Sequence, residues 1–240
     1  MACLSFIIAH FVLARLPYVN EHVAADVSEW GTEFPGCAAA LQSPIALNST
    51  TAVLTRLPLL QSNYSVNPTP AVLTNTGTGL TVTFPNATYA VSGANLPNAT
   101  FVLDSLRFHW STNLSSGSEH SVDGVFFPLE IELIHRDSRF PTVSAASTTP
   151  GAVTIVSVLV QAFPANSSFS NGQLTALLDL MSTAAGNISA EGESASLNAF
   201  SLGRFISFTN TTSYFTYPYV PTSFTYDLLT SRDAILEAAY

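Results

Sequence analysis

Short runs of β-branched and aromatic residues, each closed by Pro, Gly or Asn, recur along most of this chain and leave room for little except a sheet. Leu80 to Phe84, Phe101 to Trp110, Val125 to His135 and Val153 to Phe163 read as strands. Such side chains pack well on a pleated surface and lose rotamer freedom in a helix. Helical spacing stands out in Gln173 to Ala184, where Leu174, Leu177, Leu178 and Met181 fall at i, i+3, i+4 and i+7. Asn171 is placed to cap that helix and Gly186 to stop it. Asp227 to Ala239 reads as a second helix, which at this length needs packing to persist. No repeat or linker divides the 240 residues, so one mainly β (α+β) domain is expected, with a large sheet and a few helices.

Charge and composition narrow the functions. Only 10% of residues are charged, lysine is missing altogether, and the net charge is −9. A surface of that sign repels nucleic acid and anionic membranes, so neither is expected as a partner. Ala2 to Ala14 is an apolar run ended by Arg15, too short to span a bilayer and of the length of a secretory h-region. A small-residue exit follows at Val23-Ala24-Ala25, although the n-region lacks the usual basic residue. Residues 1–25 therefore read as a signal peptide and 26–240 as the mature domain, with no membrane span after signal removal. A buried N-terminal helix is the alternative.

Asn48, Asn63, Asn86, Asn98, Asn113, Asn166, Asn187 and Asn210 each begin an Asn-x-Ser/Thr triplet without an intervening proline. With 14 Asn and 55 Ser or Thr, chance supplies roughly three such triplets, so eight is an excess. N-linked glycans and a secreted or cell-surface location are the expectation, with an organelle lumen as the alternative. Of the two cysteines, Cys3 leaves with the signal. Cys37 is then a buried thiol or half of an intermolecular bridge.

Several motifs follow one another in a telling order. Glu29-Trp30-Gly31 and Gln42-Ser43-Pro44-Ile45 come first, then Asn75-Thr76-Gly77 running to Phe84, then Phe108-His109-Trp110. Gly117-Ser118-Glu119-His120 with Val122-Asp123 is next, and Glu130-Ile131-Glu132-Leu133-Ile134-His135 follows it. Tyr214-Phe215-Thr216-Tyr217-Pro218 with Thr222-Ser223 closes the series. Together they resemble the α-class carbonic anhydrase family from about Trp30 to Tyr226.

That resemblance implies a single domain on a mostly antiparallel, twisted central sheet with peripheral helices. It also implies zinc held by three histidines of two neighbouring strands, with water in the open fourth position. Zinc favours tetrahedral nitrogen ligands and lowers the pKa of its bound water to about 7. The family's first two ligands form His-x-His, because alternate residues of a strand share a face. Here that pair reads Arg107-Phe108-His109. The third ligand follows two residues after a supporting glutamate, and here the stretch is Glu130-Ile131-Glu132.

Arginine stays protonated and offers donors only, so it cannot hold zinc. No cofactor is therefore expected, and His109 is a vestigial ligand. Arg107 and Glu132 are expected to face each other across adjacent strands as a charge-assisted pair in place of the ion, with His109 hydrogen-bonded to it. A trio of His109, His120 and His135 is the alternative metal site. In the resemblance His120 and His135 hold structural positions, and His135, three residues beyond Glu132, faces the other side of a regular strand. Glu119 and Thr222 match the pair that orients zinc-bound hydroxide. They are vestigial here, kept because a buried carboxylate needs its hydroxyl partner. Glu130 and His120 support the ligands from behind. The proton-shuttle position falls on Thr78, which cannot carry protons near neutral pH. The family's partner for Cys37 falls near Tyr226, and Pro221 and Phe224 alter the loop on the pocket floor.

After Tyr226 the family continues through several strands, one of them threaded into the sheet centre, where this chain has Asp227 to Tyr240. Either the sequence is a piece of a longer chain, or the Asp227 to Ala239 helix replaces that remainder and something else covers the open sheet; an uncovered strand edge invites another chain, which points to life inside an assembly. The expected function is a catalytically inactive carbonic anhydrase-like glycoprotein, a pseudoenzyme serving as a binding or structural subunit of an extracellular or lumenal assembly. The alternative is an active zinc carbonic anhydrase, hydrating carbon dioxide reversibly at an atypical metal site. A third reading keeps an apolar pocket for a small ligand or glycan.

Overall fold

The computed structural model describes residues 43–54, 60–65, 67–77, 79–93, 96, 98–111, 116–160, 172–205, 215–218 and 232–238. Within them the chain forms β1 (Ala46–Leu47), β2 (Leu60–Ser62), β3 (Thr69–Asn75), β4 (Leu80–Thr83), β5 (Ala90–Gly93) and β6 (Phe101–Trp110). β7 (Ser121–Val122), β8 (Val125–Phe126), β9 (Leu129–Asp137), a one-turn helix α1 (Val143–Ala146) and β10 (Val153–Val160) come next. Helix α2 (Gly172–Ala185), β11 (Ser194–Phe200), the short α3 (Leu202–Phe205), β12 (Phe215–Pro218) and β13 (Arg232–Ala238) complete the order.

Ten strands form one sheet in the order β11-β3-β4-β6-β9-β10-β13-β12, with β2 and β5 attached beside β6. Its pairings are antiparallel except for β10 with β13. The mainly β, mostly antiparallel expectation is met. Strands β9 and β10 are buried along almost their whole length, which explains why β10 reads as a near-continuous apolar run and why the polar residues of β9 need partners.

Two expected elements come out differently. Val125 to His135 is not one strand: β8 ends at Phe126 and β9 begins at Leu129, with Phe127 and Pro128 between them. Proline has no N–H for a ladder, and the break turns the chain from the small β1-β7-β8 sheet into the large one. The expected helix at Asp227 to Ala239 contains a strand instead, since β13 pairs parallel with β10 and antiparallel with β12. The local preference of Ala, Leu and Glu for helix is worth only tenths of a kcal/mol per residue, and six register pairs along β10 outweigh it. Helix α2 matches its periodicity and ends at Ala185; Asn171 lies outside the described residues.

The two faces of the sheet have different tasks. Leu80, Val82, Leu106, Phe108, Ile131, Leu133, Val156 and Val158 point to one side, into the main core with Met181, Ala184 and Ala185 of α2. The other face carries Arg107 and His109 of β6 directly across from Glu132 and Glu130 of β9, flanked by two smaller apolar clusters. One cluster gathers Ile134, Val153 and Ile155, and the other Leu47, Phe127 and Leu159. A polar stripe thus crosses a mostly apolar surface.

Candidate functional site

The stripe is assembled from three segments. Strand β6 supplies Arg107 and His109, β9 supplies Glu130 and Glu132, and the segment leading into β7 supplies Glu119 and His120. That segment is held against β9 by unusually close packing. A Cβ on Gly117 would lie 1.9 Å from the Pro128 carbonyl oxygen, so only glycine fits. The Ser118 N–H donates to the Phe127 carbonyl at 2.7 Å, while its hydroxyl accepts from Phe127 N–H at 2.8 Å and donates to the His120 carbonyl at 2.6 Å. The hairpin that follows turns on Asp123 and Gly124, both with positive φ, as a two-residue connection between twisted strands requires. Asp123 then pins the loop after β1 by accepting from the Ser49 N–H at 2.8 Å and hydroxyl at 2.7 Å.

Glu130 is fully buried and fully used. One carboxylate oxygen meets His120 Nδ1 at 2.6 Å, and the other accepts from the backbone N–H of Glu119 and of His120, each at 2.9 Å. Burial alone would raise its pKa, but the His120 contacts hold it below the usual carboxylate range. It is a charged staple between two segments.

His109 occupies the centre. Its Nε2 lies 3.1 Å from Glu132 Oε2, and its Nδ1 lies 3.5 Å from Glu119 Oε1. Burial works against charge on the ring, yet the Glu132 hydrogen bond and the surrounding carboxylates prevail and push its pKa up to about 9. At neutral pH it is an imidazolium between two carboxylates. Burial in turn raises the Glu119 carboxyl, with His109 pulling the other way.

Arg107 and Glu132 do face each other in register, as expected. Glu132 is ion-paired with His109, and this bears out the expected hydrogen bond from His109 to the pair. The strand is pleated, and the ring of His109 reaches diagonally to Glu132, two register pairs away on the same face. Among the described residues His109, Glu119 and Glu132 are the group whose potential ligand atoms converge, all within 4.8 Å of one another. The trio of His109, His120 and His135 is not assembled. His120 is taken by Glu130, and His135 lies on the opposite face, stacked on Tyr64 with its Nε2 hydrogen-bonded to the Tyr64 hydroxyl at 2.6 Å. Burial lowers His135 to about 4, so it is neutral there. Thr222, Thr78, Cys37, Pro221, Phe224 and Tyr226 lie outside the described residues.

Sequence reasoning missed two features of the site. The Ser157 hydroxyl on β10 is register-paired with Glu132, fully buried and without a hydrogen-bond partner among the described residues. A serine inside a run of β-branched residues was the available signal. Of the clamp on His109, the Glu132 bond was expected and the Glu119 contact was missed, because it needs the Glu119 loop folded back over the strand.

Fold and stripe together define a mainly β protein with a charged cluster on one face of its central sheet. The chain belongs to the eukaryotic-type carbonic anhydrase family, whose model matches residues 25–226. It is 27% identical to human carbonic anhydrase 6 over 154 residues, covering 62% of this chain and 49% of that protein. With human carbonic anhydrase 12 it shares 31% over 148 residues, 59% of this chain and 40% of the relative. With the human carbonic anhydrase-related protein it shares 36% over 146 residues, 55% and 50% of the two chains. The chain spans about half the length of these curated relatives.

The residues at the ligand positions do not fit the family's zinc. The first position is a guanidinium that offers only donors, and both nitrogens of the retained histidine already face carboxylates. No helix among the described residues is long and apolar enough to cross a membrane.

Proposed function

We propose that this chain is a catalytically inactive carbonic anhydrase-like glycoprotein that acts by binding, as a structural subunit of an extracellular or cell-surface assembly. The observation that carries the reading is the clamp on His109, together with arginine at the first ligand position. A metal ion entering here would displace the imidazolium from Glu132 and sit beside a second cation. The charges it would neutralise are neutralised already. Secretion and glycosylation are supported by the apolar N-terminal run and the sequon excess. All five sequon asparagines among the described residues, Asn48, Asn63, Asn86, Asn98 and Asn187, are exposed.

Metal analysis of the native protein, joined to a stopped-flow carbon dioxide hydration assay, tests the reading. Zinc far below one per chain and hydration at the uncatalysed rate are expected. Stoichiometric zinc with inhibitor-sensitive hydration would overturn it. Purification under gentle conditions checks the second half, because a subunit of an assembly should travel with a partner. One observation favours the competing reading of an active zinc enzyme with an atypical site: the convergence of His109, Glu119 and Glu132. The same metal analysis decides between the two.

A further inference from the structure

Asn63 follows β2 directly, and its carboxamide is committed to the neighbouring strand. Its Oδ1 accepts from the Ala90 N–H at 2.7 Å, and its Nδ2 donates to the Thr88 carbonyl at 3.1 Å. Its own backbone N–H donates to the Ala90 carbonyl at 3.3 Å. The partners fix which way the amide points, since a backbone N–H must meet oxygen and a carbonyl must meet N–H. Asn63 thereby extends the β2–β5 ladder by one side-chain rung. Its neighbour Tyr64 is buried in the main core, which holds the rung in place.

Thr88 and Ala90 present their groups from one stretch of backbone, to one edge of the carboxamide. The hydrogen given to Thr88 is therefore the one on the same side of the C–N bond as Oδ1. N-glycosylation replaces one Nδ2 hydrogen with the anomeric carbon of a sugar. The bond from that carbon to the diphosphate of its lipid-linked donor breaks as the bond to Nδ2 forms, and the proton leaves. In the resulting secondary amide the substituent takes the place beside the oxygen, the other arrangement being disfavoured by roughly two orders of magnitude. A sugar on Asn63 would stand between Nδ2 and Thr88, where the ladder is.

The other described sequons are built differently. Asn86 and Asn98 are exposed, and neither carboxamide makes a hydrogen bond among the described residues. Among the described residues Asn48 uses only its Oδ1, which accepts from the Thr50 N–H at 2.9 Å and hydroxyl at 2.6 Å. Asn187 donates from Nδ2 to the Thr183 carbonyl at 3.2 Å and leaves Oδ1 without a partner among the described residues, so its second hydrogen can serve that bond.

We propose that Asn63 is a structural bracket closed to glycosylation, and that the N-linked glycans of the described surface sit on Asn48, Asn86, Asn98 and Asn187. The second half rests on the glycoprotein reading above. The full chain, secreted from eukaryotic cells, is treated with peptide N-glycosidase in ¹⁸O-water and mapped by mass spectrometry. Label on the other sequons and none on Asn63 is the expected pattern. Label on Asn63 comparable to that on Asn86 would overturn the proposal. Label nowhere would sink the glycoprotein reading and the assignment of the other sites, leaving the bracket itself to a second measurement on glycan-free protein.

That measurement compares two variants. Ser65→Asn removes the sequon but keeps an acceptor for the Asn67 N–H, now bound to the Ser65 hydroxyl at 3.0 Å. Asn63→Asp keeps the shape and loses the donor to Thr88. Ser65→Asn should melt within about 1 °C of wild type, and Asn63→Asp about 3–6 °C lower. Equal melting temperatures for the two would refute the bracket.

Discussion

Exchanging His109 for glutamine removes the cation from the centre of the stripe while leaving an N–H donor of similar reach. The folded-state pKa of about 9, against 6.5 for a free imidazole, means that folding strengthens proton binding by two to three powers of ten. At about 1.4 kcal/mol per pKa unit that is on the order of 3 kcal/mol. The His109 side chain is 26% exposed, so solvent screening brings the figure nearer to about 2 kcal/mol. A raised pKa stabilises fully below the unfolded value, where the imidazole is charged in both states. The contribution fades as pH rises from 6.5 to about 9 and is gone above it. For a protein of this size, about 2 kcal/mol corresponds to a melting-temperature change of about 4–8 °C. Calorimetry from pH 6.5 to 9.5 should show wild type losing that much, with His109→Gln lower at pH 6.5 and nearly flat across the range. A flat wild-type curve would refute the clamp, and so would an equal loss in the variant.

Other expectations follow from the same geometry. Replacing Arg107 and Glu132 together by histidine restores three nitrogen ligands, and the double variant should take up zinc at one per chain by atomic absorption, with neither single variant doing so. Gly117→Ala forces a methyl group to within 1.9 Å of a backbone oxygen, which neighbouring side chains cannot relieve. It should lower stability by about 3 kcal/mol or more in denaturant melts, and a near-neutral outcome would mean that the Pro128 turn yields. His135 is held neutral with a pKa near 4, so the unfolded chain gains a proton first as pH falls below 6.5. Stability should therefore decline by on the order of 3 kcal/mol between pH 6.5 and 4, and His135→Gln should lose that part of the acid slope.

Much of the sheet was legible because its signal is local. Phe101 to Trp110 announces itself by composition alone, and β6 has those bounds. Leu174 to Met181 announces α2 by spacing. What was not legible depended on distant partners. Arg232 to Ala238 looks helical until β10 is present to pair with it, and Pro128 reads as an interruption only once Gly117 is seen to lie against it. At the site, strand periodicity placed Arg107 opposite Glu132, since register pairs share a face. It could not place Glu119, whose position depends on a turn held by Ser118 and Glu130. The second contact of His109 depends on the same turn, because Glu119 braces the ring from there.

The residues that identify the family are not the ones that would make it an enzyme. Gly117, Ser118, His120 and Glu130 fasten the β7 segment to β9 through hydrogen bonds and one close backbone approach, and none of these contacts involves the ligand positions. Unfastening them would leave a buried carboxylate without partners, a penalty of several kcal/mol whether or not the chain binds metal. The Gly-Ser-Glu-His motif is therefore required by the sheet itself, whether or not the chain binds metal. Arg107, His109, Glu119 and Glu132 face the partly open side of the same sheet, where one charge can be exchanged for another while the core opposite stays unchanged. Activity in a chain with this frame has to be judged from those four positions.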